Sequence, residues 1–382
     1  MAADRMLTAR DWVILGACSL ALWLGLFAAG VPQRLARVAV ALSELAPPVG
    51  LWIPRVAQGT ASVSKAAFMP NPGVGQILDL KVQAGAGPQS PEIVVVGRDG
   101  VAFAERGGRV IRSFRFPGRV NDVDVVEVRG GGPLQFLTGG FDRAKAVLID
   151  DRGAVTWKYG GSDEFREMVA GDLEGTGSIE FSVALRRGGL VRLDREGQRR
   201  WTVPDERPWW MTLADTSGDG ALKVVYLDGR EGKVKVRDGQ GQLVSQSGLA
   251  WQFRRRYSLA PWPGKQGPVR ILVLGDRQVR ILDLVGGAVA ELPAPAARAE
   301  RPWAAPVRLD SRQPERFALA AGYAYWRRSV LYIYSAAGAL VYEEVLGEDC
   351  GPLAVLPGVR PPAEALLLAC GRKVWRYDLT TK

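Results

Sequence analysis

The chain has 382 residues, 47% of them hydrophobic, with 50 Lys and Arg against 40 Asp and Glu, a formal net charge of +10, and no histidine. That apolar share, with 46 glycines for turns, excludes a disordered chain and allows one large domain plus an extension. Without histidine the usual general base, most catalytic zinc and haem ligation, and the common nucleophile–base pairs are excluded.

The first predicted element is Trp12 to Val31, WVILGACSLALWLGLFAAGV, which carries no charge. As a helix it is long enough to cross a hydrocarbon layer of about 30 Å. Arg5 and Arg10 precede it and Arg34 and Arg37 follow. The short N-terminal tail favours the orientation with that tail inside and the rest of the chain outside. Two readings stand: an uncleaved signal anchor, or a cleaved signal peptide with Ala28 and Gly30 as the small residues. The run exceeds the roughly 7–15 apolar residues of a signal, which favours the anchor. Cys18 falls inside this run and reads as a lipid-facing or helix-packing residue.

Residues 32–59 form a juxtamembrane segment in which Leu35, Val38, Leu42 and Leu45 share one helical face. Such a helix would lie on the membrane surface or pack under the following domain. APPVG then breaks it.

From residue 60 a single pattern repeats. In ADTSGDGALKVVYLDG, from Ala214 to Gly229, an Asp/Gly-rich turn leads into an apolar strand and a tight turn. First strands are expected to begin near Ile77, Val123, Val169, Thr212, Ser258, Val307 and Leu353, at intervals of 43 to 49 residues. Second strands follow as EIVVVG, LQFLTGG, IEFSVAL, LKVVYLDG, VRILVLGD, RFALAAG and EALLLACG. Third strands, such as AVLIDDRG, LVRLDREG and VKVRDGQG, often end in D-x-x-G or D-G, which are hairpin turns. Short apolar strands at this period predict an all-β, seven-bladed β-propeller over residues 60–382, preceded by the N-terminal transmembrane helix. The seventh copy stops after its third strand, so Thr60 to Phe68, TASVSKAAF, is expected to close the last blade.

Cys350 and Cys370 fall in that last blade, nearly opposite each other across a hairpin that turns near Pro361. They are either a disulfide, which implies an oxidising extracytoplasmic compartment, or two small buried thiols.

Two loops between first and second strands carry oxygen ligands at alternating positions. One has Asp215, Ser217 and Asp219 followed by Gly220; the other has Asp172, Glu174 and Thr176, with Glu180 closing. Such loops suit Ca2+, a hard ion that takes 6 to 8 oxygens. At these residues the chain resembles the FG-GAP/VCBS repeat family, the propellers of integrin α-chains, whose D-x-[DN]-x-D-G-x-x-D loops bind calcium. The resemblance covers the repeats from about residue 71 to 382, with the metal motif recognisable only in the third and fourth. It departs from the family at Lys223, where the closing Asp would stand, and at Thr176. The alternative is that these Asp residues only hold their own turns by backbone hydrogen bonds.

No G-x-S-x-G, P-loop or C-x-x-C is present. The sequence therefore reads as a binding protein, not an enzyme, with no cofactor besides Ca2+. A hydrolase or lyase that uses carboxylates in the channel is a further alternative. In a propeller, loops between blades and loops between second and third strands share one face. Here the first class carries Arg207, Trp209, Trp210, Trp251, Arg254, Arg255, Arg256, Tyr257 and Trp303. The second carries Arg186, Arg187, Arg230, Arg277, Tyr325, Trp326, Arg327 and Arg328. Arg and Trp are the residue types enriched at interface hot spots. The expected partners are the membrane, through the N-terminal helix, and an acidic envelope protein or an anionic glycan or lipid, with no nucleic acid. Trp plugging the channel mouth, and a compositional bias of 40 Arg to 10 Lys, are the plainer explanations. The expected role is an assembly scaffold in the cell envelope; a calcium-stabilised adhesion or glycan-binding protein is the alternative.

Overall fold

The computed structural model describes residues 56–58, 61–83, 93–126, 134–140, 145–160, 165–248, 259–262, 270–275, 278–282, 288–293, 301–307, 316–323, 328–335, 337–357 and 364–381. The segment read as a membrane helix, residues 12–31, and most of the juxtamembrane stretch lie outside these. Among the described residues no helix is long and apolar enough to cross a membrane.

The described residues form strands throughout. Two come before the repeats: β1 (Val56–Gln58) and β2 (Ala61–Met69). The first sheet is β3 (Ile77–Val82), β4 (Ile93–Gly97), β5 (Gly100–Ala104) and β6 (Val110–Arg115). The second is β7 (Val120–Val126), β8 (Gln135–Gly140), β9 (Lys145–Asp150) and β10 (Val155–Gly160). The third is β11 (Phe165–Gly171), β12 (Glu180–Leu185), β13 (Leu190–Leu193) and β14 (Arg199–Val203). The fourth is β15 (Pro208–Ala214), β16 (Lys223–Asp228), β17 (Lys233–Arg237) and β18 (Leu243–Gly248). The fifth is β19 (Leu259–Trp262), β20 (Arg270–Gly275), β21 (Gln278–Leu282) and β22 (Ala288–Pro293). Then come β23 (Arg301–Val307), β24 (Arg316–Tyr323), β25 (Arg328–Tyr334) and β26 (Leu340–Leu346). The last three are β27 (Cys350–Pro357), β28 (Glu364–Cys370) and β29 (Lys373–Thr381).

Each sheet is an antiparallel meander whose first strand lies beside the first strand of the next: β3 by β7, β7 by β11, β11 by β15, β15 by β19, β19 by β23, β23 by β27, and β27 again by β3. A ring of radially stacked meanders is a β-propeller. Its last sheet takes its outer strand from the start of the repeat region, as β2 pairs with β29 from Ala61↔Thr381 to Met69↔Val374. The sheet of β23–β26 gains a fifth strand when β1 pairs with β26, Val56 opposite Glu344.

The core lies between sheets. Second and third strands are buried along both faces, as in IVVVG of β4 and GVAFA of β5. Val94, Val96, Phe103, Phe136 and Ile149 join the first two sheets, and Leu148, Phe181, Val183 and Val191 the second and third. Outer strands expose most positions.

A second device links neighbours. Asp150 ends β9, and Asp194 and Asp238 directly follow β13 and β17; each carboxylate accepts the N–H groups two and four residues on. The turn closes on a glycine of positive φ, Gly153, Gly197 or Gly241. An aromatic ring on the preceding sheet's outer strand covers that glycine: Phe114 on Gly153, Trp157 on Gly197, Trp201 on Gly241. The Trp157 and Trp201 indoles donate to the carbonyls of Arg195 and Gly239, both at 3.0 Å.

Two expectations are corrected. The first strands begin earlier than their apolar residues suggest, at Val120, Phe165 and Pro208, because the half-buried start of an inner strand accepts charged residues such as Arg166 and Glu167. Consequently Trp209, Trp210 and Trp303 stand on inner strands, not in loops between blades, and Arg328 opens a third strand.

Candidate binding face

The loop from Pro204 to Arg207 joins the third and fourth sheets and is wedged between two turns. On one side the Gly189 N–H donates to the Glu206 carbonyl at 2.6 Å; on the other the Gly229 N–H donates to the Arg207 carbonyl at 2.8 Å. The Arg230 guanidinium donates to the Asp205 carbonyl at 3.4 Å. Loops between sheets and turns between second and third strands therefore do share a face here, and they bring Arg186, Arg187, Arg207 and Arg230 together, all exposed.

A buried charge cluster holds this loop. Glu206 is 8% exposed and accepts from Tyr226 Oη, from Lys235 Nζ at 3.1 Å and from Arg237 Nη2 at 2.7 Å. Lys235 also donates to Asp228 at 2.7 Å. Burial pushes the Glu206 carboxyl up, but the hydrogen bonds from Arg237, Tyr226 and Lys235 outweigh it and hold the group below its usual range. Asp205 beside it takes φ 65°, a left-handed conformation that the loop enforces on a non-glycine residue.

Below the loop, Trp209 lies over Gly229, where a Cβ would come within 2.0 Å of its indole nitrogen, so only glycine fits. Arg166 of the neighbouring sheet stacks on the Trp209 ring, 4.9 Å from its centroid. The Trp210 indole N–H is buried and finds no acceptor among the described residues. Trp303 is half-buried against the core shared with the last sheet. Trp251, Arg254, Arg255, Arg256, Tyr257, Tyr325, Trp326 and Arg327 lie outside the described residues. The Glu206 cluster was missed in the sequence because its members come from a loop and two strands; PDER before a Trp pair was the available signal.

The two acidic loops lie on the opposite face. Asp172 accepts the N–H groups of Thr176 and Gly177, and Asp215 those of Ser217, Gly218 and Gly220. Asp219 takes the Ser217 hydroxyl and lies 3.6 Å from Lys223. Arg192, 4% exposed, binds both Glu174 at 2.7 Å and Glu180 at 2.8 Å. Burial raises the Glu180 carboxyl above its usual range even so. Among the described residues no group of three or more Asp, Glu or Cys is gathered to hold a metal ion.

Asp79 of β3, which is buried, and Asp124 of β7 lie close enough to interact, and Lys81 lies close to Asp124. Asp124 accepts the Ala170 N–H of the next sheet at 2.9 Å. Cys350 and Cys370 are directly opposite in register and bonded, with an S–S distance of 2.03 Å.

No protein-family description matches the chain, and no curated protein matches it. Similar chains exist among solved structures. One, at 13% identity with a TM-score of 0.47, covers 74% of this chain and 78% of its own: "Crystal structure of BBS1N in complex with ARL6DN, soaked with lead".

Proposed function

We propose that this protein is a seven-bladed β-propeller, held to a membrane by Trp12–Val31, that works outside the cytoplasm as a docking scaffold for an acidic segment of an envelope protein. One observation carries the reading: the loop 204–207, fixed by the Glu206 cluster, gathers Arg186, Arg187, Arg207 and Arg230 beside the Arg166–Trp209 stack. Guanidinium forks suit carboxylates, and the half-buried Trp209 ring that Arg166 stacks on is what a partner's side chain would meet at a hot spot. The Cys350–Cys370 bond supports an oxidising compartment.

The calcium-stabilised FG-GAP reading is the second one, resting on Asp215 and Asp219 with their glycine turn. Against it, Arg192 and Lys223 already supply the positive charge a cation would bring.

The test uses the full chain in its membrane, with cross-linking and capture. The variant Arg187→Glu/Arg207→Glu/Arg230→Glu should lose the captured protein at least tenfold, and chelator should leave wild-type capture unchanged. Equal capture by variant and wild type would end the docking proposal. Loss on chelation, reversed by Ca2+, would favour adhesion.

A further inference from the structure

Beneath the arginines of the rim lie two carboxylates, charges of the wrong sign for a face that takes up acidic segments. Glu206 and Asp228 are 8% and 1% exposed, so neither is a contact for a docked chain. Both bind the same buried lysine: Lys235 Nζ donates to Glu206 at 3.1 Å and to Asp228 at 2.7 Å. Glu206 belongs to the loop that carries Arg207. Asp228 ends β16 and accepts the Arg230 N–H at 2.8 Å, which fixes the turn that carries Arg230. One lysine of β17 therefore ties the two elements together, and the Arg230 guanidinium adds a second link by reaching the Asp205 carbonyl. Asp205 shows how tight the constraint is, since a φ of 65° on a non-glycine residue persists only where the surroundings over-determine it. Once desolvation is counted, a buried ion cluster contributes little net stability.

We propose that Glu206 and Asp228 are positioning residues of the docking face, which hold Arg207 and Arg230 in a fixed relation to each other through Lys235. The inference rests on the docking reading above and adds a sign to it. If the two carboxylates acted only through their charge, neutralising either would make the face more positive, and an acidic ligand would bind more tightly. If they act by position, the same change frees an arginine and binding weakens.

The experiment is fluorescence anisotropy of a labelled poly-glutamate peptide on the full chain in detergent. Wild type is set beside Glu206→Gln and Asp228→Asn, with the triple arginine variant as control. Each carboxamide variant should bind about tenfold more weakly, the size expected for one lost charge-assisted hydrogen bond. In Glu206→Gln the Gly189 and Gly229 N–H groups, which donate to the carbonyls of Glu206 and Arg207, should also exchange faster with solvent. Binding as tight as wild type, or tighter, in either folded variant, while the triple variant stays weak, would overturn the role of that residue and leave the docking reading intact. Should one variant fail to fold, the other decides. Wild type and triple variant binding the peptide alike would end the docking reading, and this inference with it.

Discussion

Asp124 is the residue whose environment departs most usefully from water. Burial pushes its carboxyl up to about 6 from 3.8, the Lys81 charge pulls it back in part, and Asp79 pushes it up again. A carboxyl raised in the folded state binds its proton more tightly folded than unfolded. It therefore contributes stability below pH 3.8 that is lost as the pH rises through about 6. Asp124→Asn keeps an acceptor for the Ala170 N–H and removes the titration. The variant's melting temperature should gain on the wild type as the pH is raised across that window, and a constant difference would mean that Asp124 titrates in its ordinary range. At Gly197 the constraint is steric as well as conformational: φ is 77°, and a Cβ would come 2.7 Å from the Trp157 ring. Gly197→Ala should cost about 1–3 kcal/mol, read by urea denaturation. Trp157→Phe, which keeps most of the packing and loses the bond to Arg195, should cost about 1 kcal/mol.

Among elements, the second and third strands were the most legible in sequence. A strand buried on both faces tends to be apolar along its length, as IVVVG and GVAFA are, and a D-x-x-G ending, as in LVRLDREG, marks its turn. First strands were less so, since Phe165–Arg166–Glu167 is only half-buried and there charge is tolerated. Taking those residues for loop is also what put Trp209 and Trp303 on the rim. The candidate site was legible in its residue types and its face, through Arg207 and Arg230, but not in what secures it. Glu206, Tyr226, Lys235 and Arg237 are scattered along 32 residues of sequence; the register of β16 with β17 sets Tyr226 opposite Lys235, and the loop before β15 supplies Glu206. The strand β1 was illegible for a different reason: three residues, VAQ, carry no periodicity. For the hairpin of β27 and β28 the prediction is chemical. The cystine spans a sequence separation of 20 residues, so reduction should lower stability by about 3 kcal/mol in the chain-entropy account. Thiol titration of the denatured, unreduced chain should find Cys18 alone.

At the scale of the molecule, ring closure rests on β2. Its Lys65 forms an ion pair with Glu344 of β26 at 2.8 Å and stacks over Trp375 of β29, 4.5 Å from the ring centroid. The one side chain thus joins the closing strand to two sheets. A double-mutant cycle on Lys65 and Glu344 should return a coupling of about 0.5–1 kcal/mol, reduced by salt. No coupling would leave closure to the backbone ladder alone. The repeat itself was readable because every unit must bury the same faces, whereas the strand exchange between the two ends of the repeat region follows from arithmetic: the last unit lacks a fourth strand.

The pairing of β2 with β29 also sets a clock on biosynthesis. The ribosome makes Ala61–Met69 first and their hydrogen-bonding partners Lys373–Thr381 more than three hundred residues later. At elongation rates of roughly 5–20 residues per second, β2 waits on the order of tens of seconds with its ladder unmade. During that interval the nascent chain exposes an adhesive strand. A holdase, or swift elongation through the final repeat, would matter more to its yield than the stability of the finished ring.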